Sequence, residues 1–107
     1  MATREAAVIA ALVGRARAAQ AVAERHDQAG ADRLVAAAAW AIMEPARNLE
    51  LATLAVRDTG LGNVRDKVLK NHRKTLGLLR DLARARTVGV IAEDRALGIT
   101  EIARPVG

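Results

Sequence analysis

Apolar residues recur at three- and four-residue intervals along the first 26 positions. Ile9, Leu12, Val13, Ala16, Ala19 and Ala23 form one stripe, while Arg4, Arg15 and Arg25 fall largely elsewhere. This spacing predicts an amphipathic helix over residues 4–26. The stretch HDQAGAD breaks it and offers Asp27 or Asp32 as the cap of a second helix. That second helix, over 31–43, is apolar nearly all round its central part, which predicts burial on more than one side. Pro45 then intervenes. Inside a helix a proline costs about 3 kcal/mol, but at the first helical position it costs little. The pattern therefore breaks at Met43–Glu44 and restarts with Pro45 in a new first turn. This third helix turns Leu49, Ala52, Val56 and Leu51, Leu54, Ala55 toward neighbours and stops at DTGLG.

A fourth helix runs over 63–85. Asn63 can cap it, and Asp66 sits in the first turn near the positive dipole end. At 100° per residue Val64, Val68, His72, Leu76, Leu79 and Ala83 make one stripe, predicted to be buried. Lys67, Lys70, Arg73, Lys74, Asp81 and Arg84 lie on the other face, which reads as a solvated helix surface. After ARARTVG the texture changes. TVGVIAED and GITEIARPVG are β-rich, with EDRALG as the turn between them. The fold class is mainly α with a short C-terminal β pair. Helices occupy residues 1–86 and the two strands 87–107.

Composition sharpens this picture. In 107 residues, many of the apolar positions are alanine and Trp40 is the only aromatic. A small Ala/Leu/Val core leaves an isolated chain of this size only marginally stable, so a larger body to pack against is expected. An apolar strand that stops at Pro105-Val106-Gly107 reads as a truncation. The net charge of +5 permits an anionic partner. Arginine supplies most of it, however, as a GC-rich genome would also produce. No cysteine is present, which excludes disulfides, thiolate metal sites and a cysteine nucleophile within these residues. His26 and His72 are too few for a metal cluster. The longest apolar run, LVAAAAWAIM over 34–43, is about half of what a spanning helix needs. Residues 6–13 resemble a short signal core, but Glu5, Arg15 and Arg17 flank a helical pattern that continues unbroken. No membrane partner and a cytoplasmic location are expected.

The stretch VRDTGLGNVRDKVLKNHRK, residues 56–74, carries most of the candidate chemistry. Its GLG would open a dinucleotide loop only after a strand and with a third glycine. A helix precedes it here, and Arg65 stands at the third position. A helix-ending glycine turn is the simpler reading. His72 would serve as a general base only with a carboxylate partner; on the buried stripe it reads as a packing histidine. Asp27, Asp32, Glu44, Glu50, Asp58, Glu93 and Asp94 form no pair at catalytic spacing, and serine is absent. No catalytic, cofactor-binding or metal-ligating residue is assigned.

As a whole, LATLAVRDTGLGNVRDKVLKNHRKT, then VGVIAED, then GITEIARPVG resembles the start of a CoA-acylating aldehyde dehydrogenase. The NHRKT…LRDL continuation is similar to the sulfoacetaldehyde type. The resemblance covers about residues 15–107 but only the beginning of such an enzyme. It implies an N-terminal helical portion of an α/β aldehyde dehydrogenase fold, packed on a dinucleotide-binding domain further along the polypeptide. The β pair would contribute to an oligomerisation sheet between identical subunits. The resemblance also implies NAD or NADP and CoA as cofactors of the parent, with an aldehyde as substrate. The catalytic cysteine, which forms a thioester with the aldehyde carbon, would lie beyond Gly107. This chain alone is then expected to bind neither cofactor and to be inactive.

Two rivals come from other classes. One is a basic helical nucleic-acid-binding module using Lys67, Lys70, Arg73, Lys74 and Arg84. Acids interleaved among these cations and the lack of aromatic partners weigh against it. The other is a scaffold that oligomerises through residues 88–104. Residues 1–20 also have room for a short targeting role, as in relatives packaged in protein shells.

Overall fold

Each helix boundary has a local cause. A computed structural model describes residues 3–106. Thr3 precedes helix α1 (Arg4–Ala23) and caps it, its hydroxyl accepting a hydrogen bond from Ala6 N at 3.2 Å. Helix α2 (Gln28–Met43) begins three residues earlier than the apolar pattern suggests. The reason is Asp27, whose Oδ1 accepts from Gly30 N at 2.8 Å and so caps a turn of polar and small residues. The break at Pro45 falls where the sequence places it. Helix α3 (Pro45–Thr59) has proline in its first turn and Glu44 as its cap. Gly60, at φ 66°, closes α3 in the left-handed conformation, with its N–H donating to Val56 O at 2.8 Å. Helix α4 (Val64–Leu82) starts from Asn63, whose Oδ1 accepts from Asp66 N at 2.9 Å.

Strands β1 (Gly89–Asp94) and β2 (Ile99–Ala103) form an antiparallel pair. Ile91 is an extra residue between Val90, opposite Ile102, and Ala92, opposite Glu101, which makes a bulge. The turn is held by Asp94, whose Oδ1 accepts from Ala96 N and Leu97 N at 3.0 Å each. The mainly helical class with a terminal β pair is the architecture the pattern predicts.

The described residues group into two compact bodies, 3–31 with 86–106, and 32–85. In the first, Gln28 anchors the chain that enters β1. Its Oε1 accepts from Thr87 N (2.7 Å) and Val88 N (3.1 Å), and its Nε2 donates to Thr87 Oγ1 (2.9 Å). Gln20 Nε2 donates to Pro105 O at 3.0 Å. In the second, α3 packs on α4 around Asn48 and Ala52, which are 3% and 0% exposed.

Two expectations are corrected here. Helix α2 is not buried on several sides, since Leu34 and Trp40 are 50% and 57% exposed and only Gly30 and Ala39 are buried among its residues. The inward face of α4 is also rotated by about one residue. Val64, Val68, Asn71 and Thr75 are partly covered, while His72 and Leu76 lie exposed. The hydrophobic stripe overlooked an asparagine as an inward position.

Candidate functional site

The 56–74 stretch forms the junction between α3 and α4. Gly60 and Gly62 both have positive φ, 66° and 71°, and the aliphatic end of Lys67 lies against Gly62. The amides at the start of α4 have local partners. Asn63 Oδ1 accepts from Asp66 N, and Asn63 Nδ2 donates to Asp66 Oδ2 at 2.7 Å. A carboxylate therefore already sits at the positive end of the helix, where a phosphate would have to bind. The turn is a helix stop and start, as its spacing predicts, and it offers no phosphate cradle.

Within 32–85, the buried polar centre is a pair of asparagines. Asn48 Nδ2 donates to Val68 O at 3.0 Å, and Asn71 Nδ2 donates to Asn48 Oδ1 at 2.9 Å. Neither residue was a candidate from sequence. The available signal was an asparagine in phase with Val64 and Val68 along α4, opposite another asparagine on α3. Their partners are each other and the backbone, so the pair orients helices and presents no free reactive group.

The titratable groups stand apart. His72 is exposed and accepts or donates no hydrogen bond among the described residues, so it is not the packing histidine that the stripe predicts. Among those residues no group of three His, Cys, Asp or Glu is placed to hold a metal ion. Ion pairs among the described residues include Arg47–Glu44, Arg57–Asp58 and Arg80–Asp81. Glu44 is held below the usual glutamate range, chiefly because its carboxylate accepts from Arg47 N (2.9 Å) and also from Ala46 N (3.2 Å). Partial desolvation opposes this, and the nearby Arg47 charge adds to it. Lys67, Lys70, Arg73 and Lys74 have no acidic partner among the described residues.

What the chain does offer is apolar surface. Its accessible area is 8776 Å². A folded monomer of this mass should expose about 5,700 Å², and even two separate compact bodies of half the mass would total only about 6,900 Å². Within 32–85 the uncovered surface includes a hollow of about 260 Å³ between α2 and α4, lined by Val35, Ala39, Ile42, Leu78, Leu79 and Leu82 among others. Val35, Ile42, Leu78 and Leu82 are 43%, 39%, 59% and 40% exposed. Such a face marks a contact surface rather than a reaction centre.

Helix α1 is long and apolar enough to cross a membrane by length and composition, with a mean hydropathy of 1.3 over its most apolar stretch. The longest uninterrupted apolar run lies in α2 instead, because charged residues divide α1. Arg15 and Arg17 stand near the middle of α1, where each would cost about 2.5–3.5 kcal/mol in a bilayer.

No protein-family model matches the chain, and no solved structure does. Curated relatives are similar to it. Over 102 residues, 95% of the chain, it is 72% identical to the acylating sulfoacetaldehyde dehydrogenase of Cupriavidus necator, covering 21% of that protein. Over 92 residues, 86% of the chain, it is 39% identical to the acylating sulfoacetaldehyde dehydrogenase of Bilophila wadsworthia, covering 20% of it. Over all 107 residues it is 36% identical to the bifunctional aldehyde-alcohol dehydrogenase of Escherichia coli, covering 12%. The chain thus spans about a fifth of the length of the sulfoacetaldehyde dehydrogenases it matches. Its sequence is that of an N-terminal segment of an acylating aldehyde dehydrogenase.

Proposed function

We propose that this chain is the N-terminal part of a CoA-acylating aldehyde dehydrogenase that takes sulfoacetaldehyde, with NAD or NADP and CoA as cofactors. Residues 1–86 are its helical layer, and 87–107 lead toward the dinucleotide-binding domain. The observation that carries this reading is the 72% identity over 102 residues to the Cupriavidus necator enzyme. The chain has no cysteine to form the thioester, and Asn63 and Asp66 already fill the glycine turn that resembled a phosphate loop. The chemistry belongs to parts of the parent outside these 107 residues, and the chain alone is inactive. The enzyme acts in the cytoplasm as an assembly of identical subunits.

The test is a graft. Residues 1–107 replace the matched segment of the Cupriavidus necator enzyme, and CoA-dependent oxidation of sulfoacetaldehyde is measured. A soluble graft with activity within tenfold of the unaltered enzyme is expected. An insoluble or inactive graft would overturn the reading, as would turnover by the 107-residue chain alone.

One observation favours a second reading. Lys67, Lys70, Arg73 and Lys74 share a face of α4 and lack acidic partners among the described residues, as a backbone-gripping nucleic-acid module would require. Binding that falls steeply with salt in a mobility-shift titration is its signature, and no shift at low salt removes it.

A further inference from the structure

We infer that Gln20 is a positioning residue of the parent enzyme: its bond to the Pro105 carbonyl sets the direction in which the polypeptide leaves β2, and so governs how tightly the nicotinamide cofactor is held. This rests on the parent reading, in which the chain after β2 leads toward the dinucleotide-binding domain.

Helix α1 has one covered spot. Gln20 and Ala23 are its only half-buried residues, while Val8, Ile9, Leu12 and Val22 are exposed. A polar side chain thus stands where packing would favour an apolar one, and its role lies in the bond it makes. Gln20 Nε2 donates to Pro105 O at 3.0 Å, across 85 positions of sequence.

The backbone next to that bond decides what it controls. The ladder of the β pair ends at Ala103, opposite Gly89. Arg104 precedes a proline and is therefore biased to extended geometry, and the Pro105 ring fixes its own φ at about −65°. The next soft dihedral is ψ of Pro105, which turns the carbonyl and the start of Val106 together. A donor on that oxygen therefore sets where Val106 heads. Gln28 holds the incoming chain at Thr87 N and Val88 N, so both strands are tied at the same end of the pair. One uncharged hydrogen bond shifts an equilibrium by about two- to twelvefold. That is enough to move cofactor binding and too little to decide whether an enzyme folds.

Substitutions at Gln20 in the grafted enzyme test this. Gln20→Met removes the donor at nearly constant volume, and Gln20→Lys returns one. Gln20→Met is expected to raise KM for NAD or NADP at least threefold while kcat and KM for CoA stay within twofold, and Gln20→Lys should bring KM back. In the graft without cofactor, amide exchange at Val106 should quicken at least threefold in Gln20→Met, with α4 unchanged. A merely structural role would leave less active protein, and hence a lower apparent kcat at unchanged KM. That pattern, an unaltered exchange rate at Val106, or no recovery in Gln20→Lys would overturn the inference. Should Gln20→Met be insoluble, Gln20→Asn keeps the amide but falls short of Pro105, and the same shifts are expected. Failure of both to fold makes Gln20 a stability residue and overturns the inference as well. None of these outcomes touches the parent reading, which falls only with an inactive graft that carries Gln20.

Discussion

Asn71 on α4 donates to Asn48 on α3 at 2.9 Å, and Asn48 in turn donates to the Val68 carbonyl at 3.0 Å. This two-link chain fixes which residues of the two helices face each other, because an amide that slides by one position loses both bonds. With Asn48 only 3% exposed, water cannot replace them. Asn48→Ala should destabilise the 32–85 body by about 1–3 kcal/mol. Asn71→Ala should cost less, since Asn71 is only half-buried. A double-mutant cycle followed by urea unfolding should show the two effects to be non-additive by at least about 0.5 kcal/mol. Strict additivity would mean that the pair is incidental.

Glu44 gives a pH dependence with a definite sign. Its pKa in the folded chain is lowered by the Arg47 and Ala46 amides. Its capping contribution is therefore fully present above its ordinary unfolded value and is lost as the pH falls through the lower folded value. Glu44→Gln should weaken α3 at neutral pH and make no difference at strongly acidic pH, where both side chains are neutral. Circular dichroism of the two proteins from pH 7 to pH 2 reads this out. Curves that stay parallel would show the cap to be idle.

Glycines of two kinds should respond oppositely to alanine. Gly60 has φ 66° and nothing within 4 Å of an added Cβ, so Gly60→Ala suffers only backbone strain, about 1–2 kcal/mol. Gly14, inside α1, is equally open but has helical backbone, and Gly14→Ala should stabilise by about 0.5–1 kcal/mol. Thermal unfolding of both variants beside the unaltered chain shows the signs. Gly30→Ala is a third case, because its Cβ would lie 2.7 Å from His26 Nδ1 and 3.0 Å from His26 Cβ; pairing it with His26→Ala should relieve the ring contact and leave the Cβ one.

Gln28 makes a local claim testable by amide exchange. Removing its side chain in Gln28→Ala takes the acceptor from Thr87 N and Val88 N together. Exchange at these two amides should quicken at least tenfold while that of the α3 amides is unchanged. Unaltered protection at Thr87 and Val88 would show that other groups hold the strand entry.

Boundaries set by backbone chemistry were readable in advance. Pro45, Gly60, Asn63 and the 94–98 turn each act through local geometry, which a sequence states directly. The reading failed where tertiary context decides. The stripe rule chose His72 because it treats asparagine as polar and therefore outward, yet Asn71 faces inward because Asn48 awaits it. The apolar α2 was expected to be buried, but apolar character reports what a helix needs and not what this chain supplies. Leu34 and Trp40 are exposed because none of the described residues covers them. For α2 the sequence leaves Asp27 and Asp32 as alternative caps, and periodicity, which begins at 31, does not register the Asp27 bond to Gly30 N that starts the helix at Gln28.

Only Glu44 separates Met43, the last residue of α2, from Pro45, the first of α3. The two helices even share bonds across it, with Glu44 N donating to Trp40 O and Asn48 N to Glu44 O, both at 2.8 Å. A joint of one residue has no slack. Adding or deleting a residue there would swing α3, with α4 packed on it, by about 100° about the helix axis relative to α2. Length changes between related genes should therefore be absent at position 44 and gather instead in the 95–98 turn, where the chain can lengthen without turning anything else.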